Sequence, residues 1–413
     1  MKTLQNLIGG RGQNSRDEAF HQVIGPTRPA STHTALAAGA KQHAADAVSA
    51  WSGRLVELSH RVHAHPELAF EETLASAWVA DALAAAGFEV EHGCYDLPTA
   101  VRATVGTGPL HIGICAEYDA LPDIGHACGH NIIAAAAVGA GAALAGLADD
   151  LGLTVTVLGT PAEEGGGGKI LMLERGAFAG MDAAMMVHPA AVEMAAMPGS
   201  AVSQFEVSYR GKPAHAGAYP QLGVNAADAM TVAQVAVGLL RQQTSPEDRI
   251  AGVVTEAGTA ANIIPDASRG GWIVRSSTME ALAELKQRVQ HCFEAGALAT
   301  GCDLTTTPLS LDYADLRPDP DMLQMYRANA EALGRVFPDL SGGSPAGAAT
   351  DMGNVSHAVP TIHPMLGLDC LPAVNHQPEF TAACITQAAD QAVLDGATAM
   401  AWTAIDLGRA RCV

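Results

Sequence analysis

The stretch Ala116–Leu121, running into Gly125-His126-Ala127-Cys128-Gly129-His130-Asn131, constrains this chain more than any other segment. It sets two histidines, a cysteine and the acids Glu117 and Asp119 within a few residues, with Pro122 and two glycines shaping the backbone. Cys128 and His130 are two apart, so in an extended or loop conformation their side chains leave the same side of the backbone. A thiolate and an imidazole converging in this way suit a borderline divalent metal such as zinc or manganese. The preceding run Leu110–Cys115 is apolar and reads as a buried strand. The motif would then stand at a strand's carboxyl end, where open α/β sheets place their sites. A buried cysteine beside a packed histidine is the alternative.

Bulk properties narrow the class. The 413 residues are 48% hydrophobic and 16% charged, enough for two domains of ordinary size. A net charge of −20 argues against a nucleic-acid partner, which needs a basic face. Eight cysteines spread from Cys94 to Cys412 without paired spacing do not read as a secreted disulfide framework. No run of about 18 apolar residues suggests a membrane span, and the N-terminus lacks a signal-peptide core. A cytoplasmic location is the expectation.

Residues 1–44 have no sustained periodicity and read as a poorly ordered extension. Apolar positions at spacings of three and four predict a helix over 46–64, and a second spans roughly 71–86, stopping at Gly87. Strands are expected at 100–105, 110–115, 153–159 and 183–187, with an alanine-rich helix at 132–147. That alternation predicts an α/β layer sandwich with a largely parallel sheet. From 198 to 310 the order becomes strand, helix, strand, strand, helix, strand, the split βαβ pattern of a small ferredoxin-like α+β unit. It interrupts a catalytic domain made of 45–197 and 311–413. A final helix is expected at 385–407.

Three more loops offer chemistry. Thr160–Gly168 places Glu163 and Glu164 between a proline and four glycines, which free the backbone to aim adjacent carboxylates differently. A plain glycine-rich connector is the alternative; a phosphate cradle is disfavoured because no P-loop Lys-Ser/Thr follows. His188 stands directly after an apolar strand, and His376 precedes the last helix. Each is weak alone, and four such loops in one layer argue against coincidence.

The segments His63–Glu72, Ala116–Asn131, Thr160–Gly168, Val187–Pro189, Gly211–Gly217, Ala261–Asp266, Ala349–Pro364 and Asn375–Phe380 together resemble the M20 metallopeptidase family. The nearest branch is its amidohydrolases, with aminoacylase-like, aminobenzoyl-glutamate-hydrolase-like and β-alanyl-dipeptidase-like members. The resemblance covers residues 46–410. It implies a zinc-peptidase-like α/β/α sandwich carrying a lid that also dimerises. It further implies Cys128, His130, Glu164, His188 and His376 as ligands of one or two zinc or manganese ions, Cys128 being able to bridge. Glu163 would be the general base and Asp119 the acid that orients a ligand histidine. His215, Asn262 and Arg275 would contact substrate, His215 from the partner subunit. Asn131 departs from the aspartate of most of this branch but matches its aminobenzoyl-glutamate-type members.

The implied reaction is hydrolysis of a C–N amide bond in an N-acyl amino acid or dipeptide-like molecule, by metal-activated water and a glutamate base. Arg275 offers a planar fork for a substrate carboxylate. An aminohydrolase releasing ammonia from an aromatic amine would use the same residues. A catalytically silent ligand-binding homologue should have lost one of them, and every position is filled. Arg275 could equally be a surface strand residue and His215 a turn residue. His60, His63 and His65 flank a helix end and read as structural, while His363 could line the pocket.

Overall fold

The computed structural model describes residues 30–339 and 348–410, with side chains from residue 38 onward. Helix α1 spans Ala30–His63, and α2 spans Thr73–Ala85. Strands β1 (Glu89–His92), β2 (Val101–Val105) and β3 (Leu110–Glu117) lead into α3 (His130–Ala145). Next come β4 (Leu153–Thr160), α4 (Gly168–Glu174) and the short strands β5 (Ala183–Met185) and β6 (His188–Ala190). α1 thus starts before the 46 expected from periodicity, and most of the expected 1–44 extension lies outside the described residues.

The inserted unit consists of β7 (Ala201–Arg210), α5 (Ala226–Leu240), β8 (Arg249–Glu256), β9 (Ala267–Ser276), α6 (Met279–Thr300) and β10 (Asp303–Pro308). Its sheet runs β10-β7-β9-β8, antiparallel throughout. This is the expected split βαβ arrangement. Its core holds Phe205, Trp272 and Phe293 between sheet and helices. Val202 and Tyr313 pair backbone to backbone where the chain enters and leaves the unit. The chain then forms α7 (Pro320–Ala332), α8 (Met352–Ser356), β11 (Thr361–Ile362), β12 (Met365–Gly367), α9 (Pro378–Ala383) and α10 (Gln387–Ala410).

The main sheet has the order β1-β2-β4-β3-β5-β11. Four strands, β4, β3, β5 and β11, are parallel, and β2 and β1 form an antiparallel edge. The reversal at β2 has a simple cause: only Gly106–Pro109 joins it to β3, too short for a parallel crossover. β1, which no sequence pattern marks, extends that edge. β5 also stops at Met185, short of the expected 187. His188 opens a separate parallel ladder, in which β6 pairs with β12.

Helices cover both faces, and α3 carries the packing on one of them. Its residues are almost all buried against α1, α10 and the sheet. Alanine and glycine permit that approach: a Cβ on Gly139 would lie 2.8 Å from both Ala397 and Leu55 side-chain carbons. The start of α3 is therefore held rigidly over the strand ends. Gly139→Val is expected to cost about 1–3 kcal/mol by overpacking. Gly53→Ala in α1, where nothing lies within 4 Å, should be neutral or stabilising. Thermal unfolding of both variants checks the contrast; equal midpoints would contradict it.

Candidate active site

Four segments meet beyond the carboxyl ends of the parallel strands, the usual place for a site in an open α/β sheet. β3 ends at Glu117 and delivers Asp119, and the following loop delivers Cys128 and the α3 residue His130. β4 ends at Thr160 and hands over to the Glu163-Glu164 loop. That loop needs its glycines for close approach. A Cβ on Gly168 would fall 1.8 Å from the Pro161 carbonyl, and one on Gly166 would fall 2.4 Å from the Phe70 ring. β6 supplies His188. His376 enters from the loop before α9, at φ 67, with its N–H donated to the Ala127 carbonyl at 2.9 Å.

The ligand atoms of Cys128, His130 and His188 lie within 4.8 Å of one another, as do those of Cys128, Glu164 and His376. Cys128 is common to both groups. His376 Nε2 stands 3.1 Å from Cys128 Sγ and 3.6 Å from Glu164 Oε2. Each buried imidazole is oriented through its other nitrogen. His130 Nδ1 pairs with Asp119 Oδ1 at 2.9 Å, and His188 Nδ1 with the Pro189 carbonyl at 2.9 Å. Asp119 Oδ2 accepts the Glu164 N–H at 2.9 Å, so one carboxylate ties both loops together.

The electrostatics of this cluster fit a bound cation. His130 Nε2 and Glu164 Oε1 are buried without a hydrogen-bond partner. Burial, reinforced by Glu164 and Glu163, pushes the Cys128 thiol well above its usual range. Burial, with Glu117 and Glu164, does the same to Glu163. Burial together with His363 lowers His188 to about 3, leaving the neutral imidazole that a metal needs. A divalent ion reverses the pressure on the thiol and carboxylates. Thiolate, imidazole and carboxylate form a donor set suited to such an ion.

Residues 113–393 match the family model for peptidase family M20/M25/M40. The chain belongs to that family. It is 40% identical over 409 residues to the Xaa-Arg dipeptidase of Mus musculus, across 93% of this chain and 94% of the mouse protein. It is 31% identical over 278 residues to one of the p-aminobenzoyl-glutamate hydrolase polypeptides of Escherichia coli K12, across 62% and 57% of the two chains. The fold resembles that of a dinuclear metal-binding M20 peptidase from Bacillus subtilis, with TM-score 0.67, 23% identity and coverage of 87% and 99%.

Within this M20 chain Arg275, on β9, is half-buried and shares a cavity of about 530 Å3 with Cys128, Glu163, Glu164, His188 and His376. Met194, Met197, Met365 and Leu371 give the cavity an apolar wall, and His363 lines it with both ring nitrogens unpartnered. His215 and Asn262 do not line it. They are exposed on two loops of the inserted unit that pair with each other, the Ala216 N–H donating to the Asn262 carbonyl at 2.9 Å. Asn131 points away from the cage and donates to Ser59 Oγ at 2.8 Å and the Cys384 carbonyl at 3.0 Å. His60, His63 and His65 bond Asp390, the Thr381 carbonyl and the Arg61 carbonyl, outside the cage.

Several residues around the site carry no signal in the sequence pattern. Lys169 is fully buried and bridges Glu117 Oε1 at 2.5 Å and Asp351 Oδ1 at 2.7 Å. Burial pushes Glu117 up, but Lys169 together with His130, His188 and His363 outweighs it and holds the carboxyl down at about 2. The free oxygen of Glu117 lies 3.4 Å from His130 Nε2. Tyr313 donates its hydroxyl to the Glu163 carbonyl at 2.6 Å. The one visible hint is a lysine directly after the glycine run.

Asp119→Asn is expected to weaken divalent-metal affinity by about 10–100-fold, because the amide offers one accepting oxygen where the carboxylate uses both, for His130 and for the Glu164 N–H, and carries no negative charge beside the imidazole. Competition with a chelator measures this. Unchanged affinity would contradict the assignment.

Proposed function

We propose that this chain is a divalent-metal-dependent amidohydrolase that splits the C–N bond of an N-acyl or aryl-acyl amino acid or a dipeptide-like small molecule. One observation carries the reading: two donor groups share Cys128, and Glu163 and Arg275 face the same cavity. The relatives named as a dipeptidase and an aminobenzoyl-glutamate hydrolase support the amide class. Cys128, His130, His188, Glu164 and His376 are assigned as the ligands of zinc or manganese, and the shared thiolate favours two ions. When bound, such an ion polarises the scissile carbonyl and lowers the pKa of a coordinated water.

The chain's own groups do the rest. Glu163 takes a proton from the attacking water and returns it to the departing amine nitrogen. Asp119 fixes the His130 ring and the Glu164 backbone. Arg275 pairs with the substrate carboxylate in bidentate fashion. The apolar wall keeps bulk water from the reacting bond.

His215 is assigned as an oxyanion donor, together with Asn262. Its Nδ1 accepts the Gly217 and Ala218 N–H groups at 3.2 and 3.1 Å, so Nε2 carries the proton and donates. Neither residue reaches the cavity of its own subunit, which supports their acting across a homodimer. The edge strand β8 and the outer face of α5 expose Val253, Val235 and Leu239 near 60% each, a surface that a second copy would cover. Residues 198–310 would then be lid and dimerisation domain in one, and 45–197 with 311–413 the catalytic domain. The remaining partner is a small carboxylate-bearing substrate in the cytoplasm. Among the described residues no helix is long and apolar enough to cross a membrane.

Glu163→Gln should lower kcat by about 100–10,000-fold while leaving metal content intact. Amine-release assays on N-acyl amino acids, β-alanyl dipeptides and aminobenzoyl-glutamate, with elemental analysis, check it. Substantial residual turnover would refute the base. Free ammonia from an aryl amine, with no amino acid released, would select the aminohydrolase chemistry instead.

His215→Ala and Glu163→Gln subunits, each nearly inactive alone, should regain up to about a quarter of wild-type activity when mixed, since about half of the subunits fall in mixed dimers and one of the two sites in each has both residues intact. No recovery in verified mixed dimers would place His215 in its own subunit's site or outside the reaction.

A further inference from the structure

The loop that presents Glu163 turns on a residue without glycine's freedom. Ala162 is fully buried at φ 58, in the left-handed region that a residue carrying a Cβ rarely adopts. A second such residue stands opposite. Phe70, at φ 64, lays its ring where a Cβ on Gly166 would sit. Both strained residues donate their N–H to a single carboxylate oxygen, Glu72 Oε1, at 3.0 Å from Phe70 and 2.8 Å from Ala162. The other oxygen accepts the Thr99 hydroxyl at 2.9 Å, and Glu72 is fully buried.

By position Glu72 is the N-cap of α2, yet its side chain caps nothing there. Glu67 takes that task, accepting the Leu74 and Ala75 N–H groups and the Thr73 hydroxyl. The carboxylate of Glu72 is thereby turned from its own helix onto the loop of the base. We propose that Glu72 is a positioning residue for Glu163: by gripping the Ala162 N–H it keeps the left-handed bend that aims the Glu163 carboxylate into the cage. This rests on the reading of Glu163 as general base. Reach and acceptor geometry are what the role demands. Burial raises Glu72 to about 7, so a neutral amide of the same length is a close substitute.

Two conservative variants separate reach from charge. Glu72→Gln keeps the length and the acceptor, whereas Glu72→Asp keeps the carboxylate but draws it back by one methylene. Kinetics of the manganese-loaded full-length protein, on whichever of the amides above it turns over fastest, should place Glu72→Gln within about threefold of wild type. Glu72→Asp should lose about 10–100-fold in kcat, as expected of a small misplacement of a reacting group, with KM and manganese content unchanged. Adding Ala162→Gly to Glu72→Asp should restore at least about threefold, because glycine holds the bend unaided. The proposal is overturned if Glu72→Asp matches or exceeds Glu72→Gln in kcat, or if the loss appears in KM or metal content. Glu163→Gln measured alongside keeps the two ideas apart. Full activity there refutes the base, whereas a dead Glu163→Gln beside a fully active Glu72→Asp refutes only the role of Glu72.

Discussion

Burying many acids in one place is the constraint on which the rest of this structure depends. Glu117, Asp119, Glu163 and Asp351 are buried around His130 and Lys169, with Glu164 close by. Unpaired charges at such depth are strongly unfavourable. Lys169 neutralises part of the cluster, and His130 sits between carboxylates on several sides. The orphaned atoms that remain face one another across the cage. A divalent cation is the missing positive charge that such an arrangement requires.

The fold supplies the rigidity to hold these groups in place. Parallel strands end on one line, and α3, packed tightly through its alanines, starts immediately beneath it with His130 in its first turn. Loops that must bend sharply to reach the cage do so at Ala162 and His376, both in the left-handed region, and both are tied by their own N–H groups. Strain of this kind persists only where the surroundings over-determine it. Here those surroundings are a buried carboxylate in one case and a backbone carbonyl in the other.

Much of this could be read from the sequence, for a definable reason. Cys128, His130, Glu163 and Glu164 lie in short runs whose residue types are unusual for a plain connector, and the period-two and period-3.6 patterns mark most strands and helices. The convergence of those loops to within a few ångströms is a property of packing and is not local to any of them. The antiparallel edge escaped notice because the reversal at β2 comes from the brevity of the Gly106–Pro109 link, not from a propensity, and β1, which extends that edge, carries no pattern of its own. Glu72 and Asp351 lie within segments that carry the family resemblance, yet their roles were not legible, for a similar reason. A single acid has no periodicity, and its role depends on partners 90 and 182 residues away. The positions of His215 and Asn262 show the converse. They pair with each other within one subunit and do not line its cavity, a separation that no local pattern displays.

The central claim is that Cys128 sulfur binds the metal. X-ray absorption at the zinc edge of the zinc-loaded protein tests this most directly. A sulfur scatterer at about 2.3 Å that disappears in Cys128→Ala is the predicted result; a shell of nitrogen and oxygen alone in the unaltered protein would contradict it.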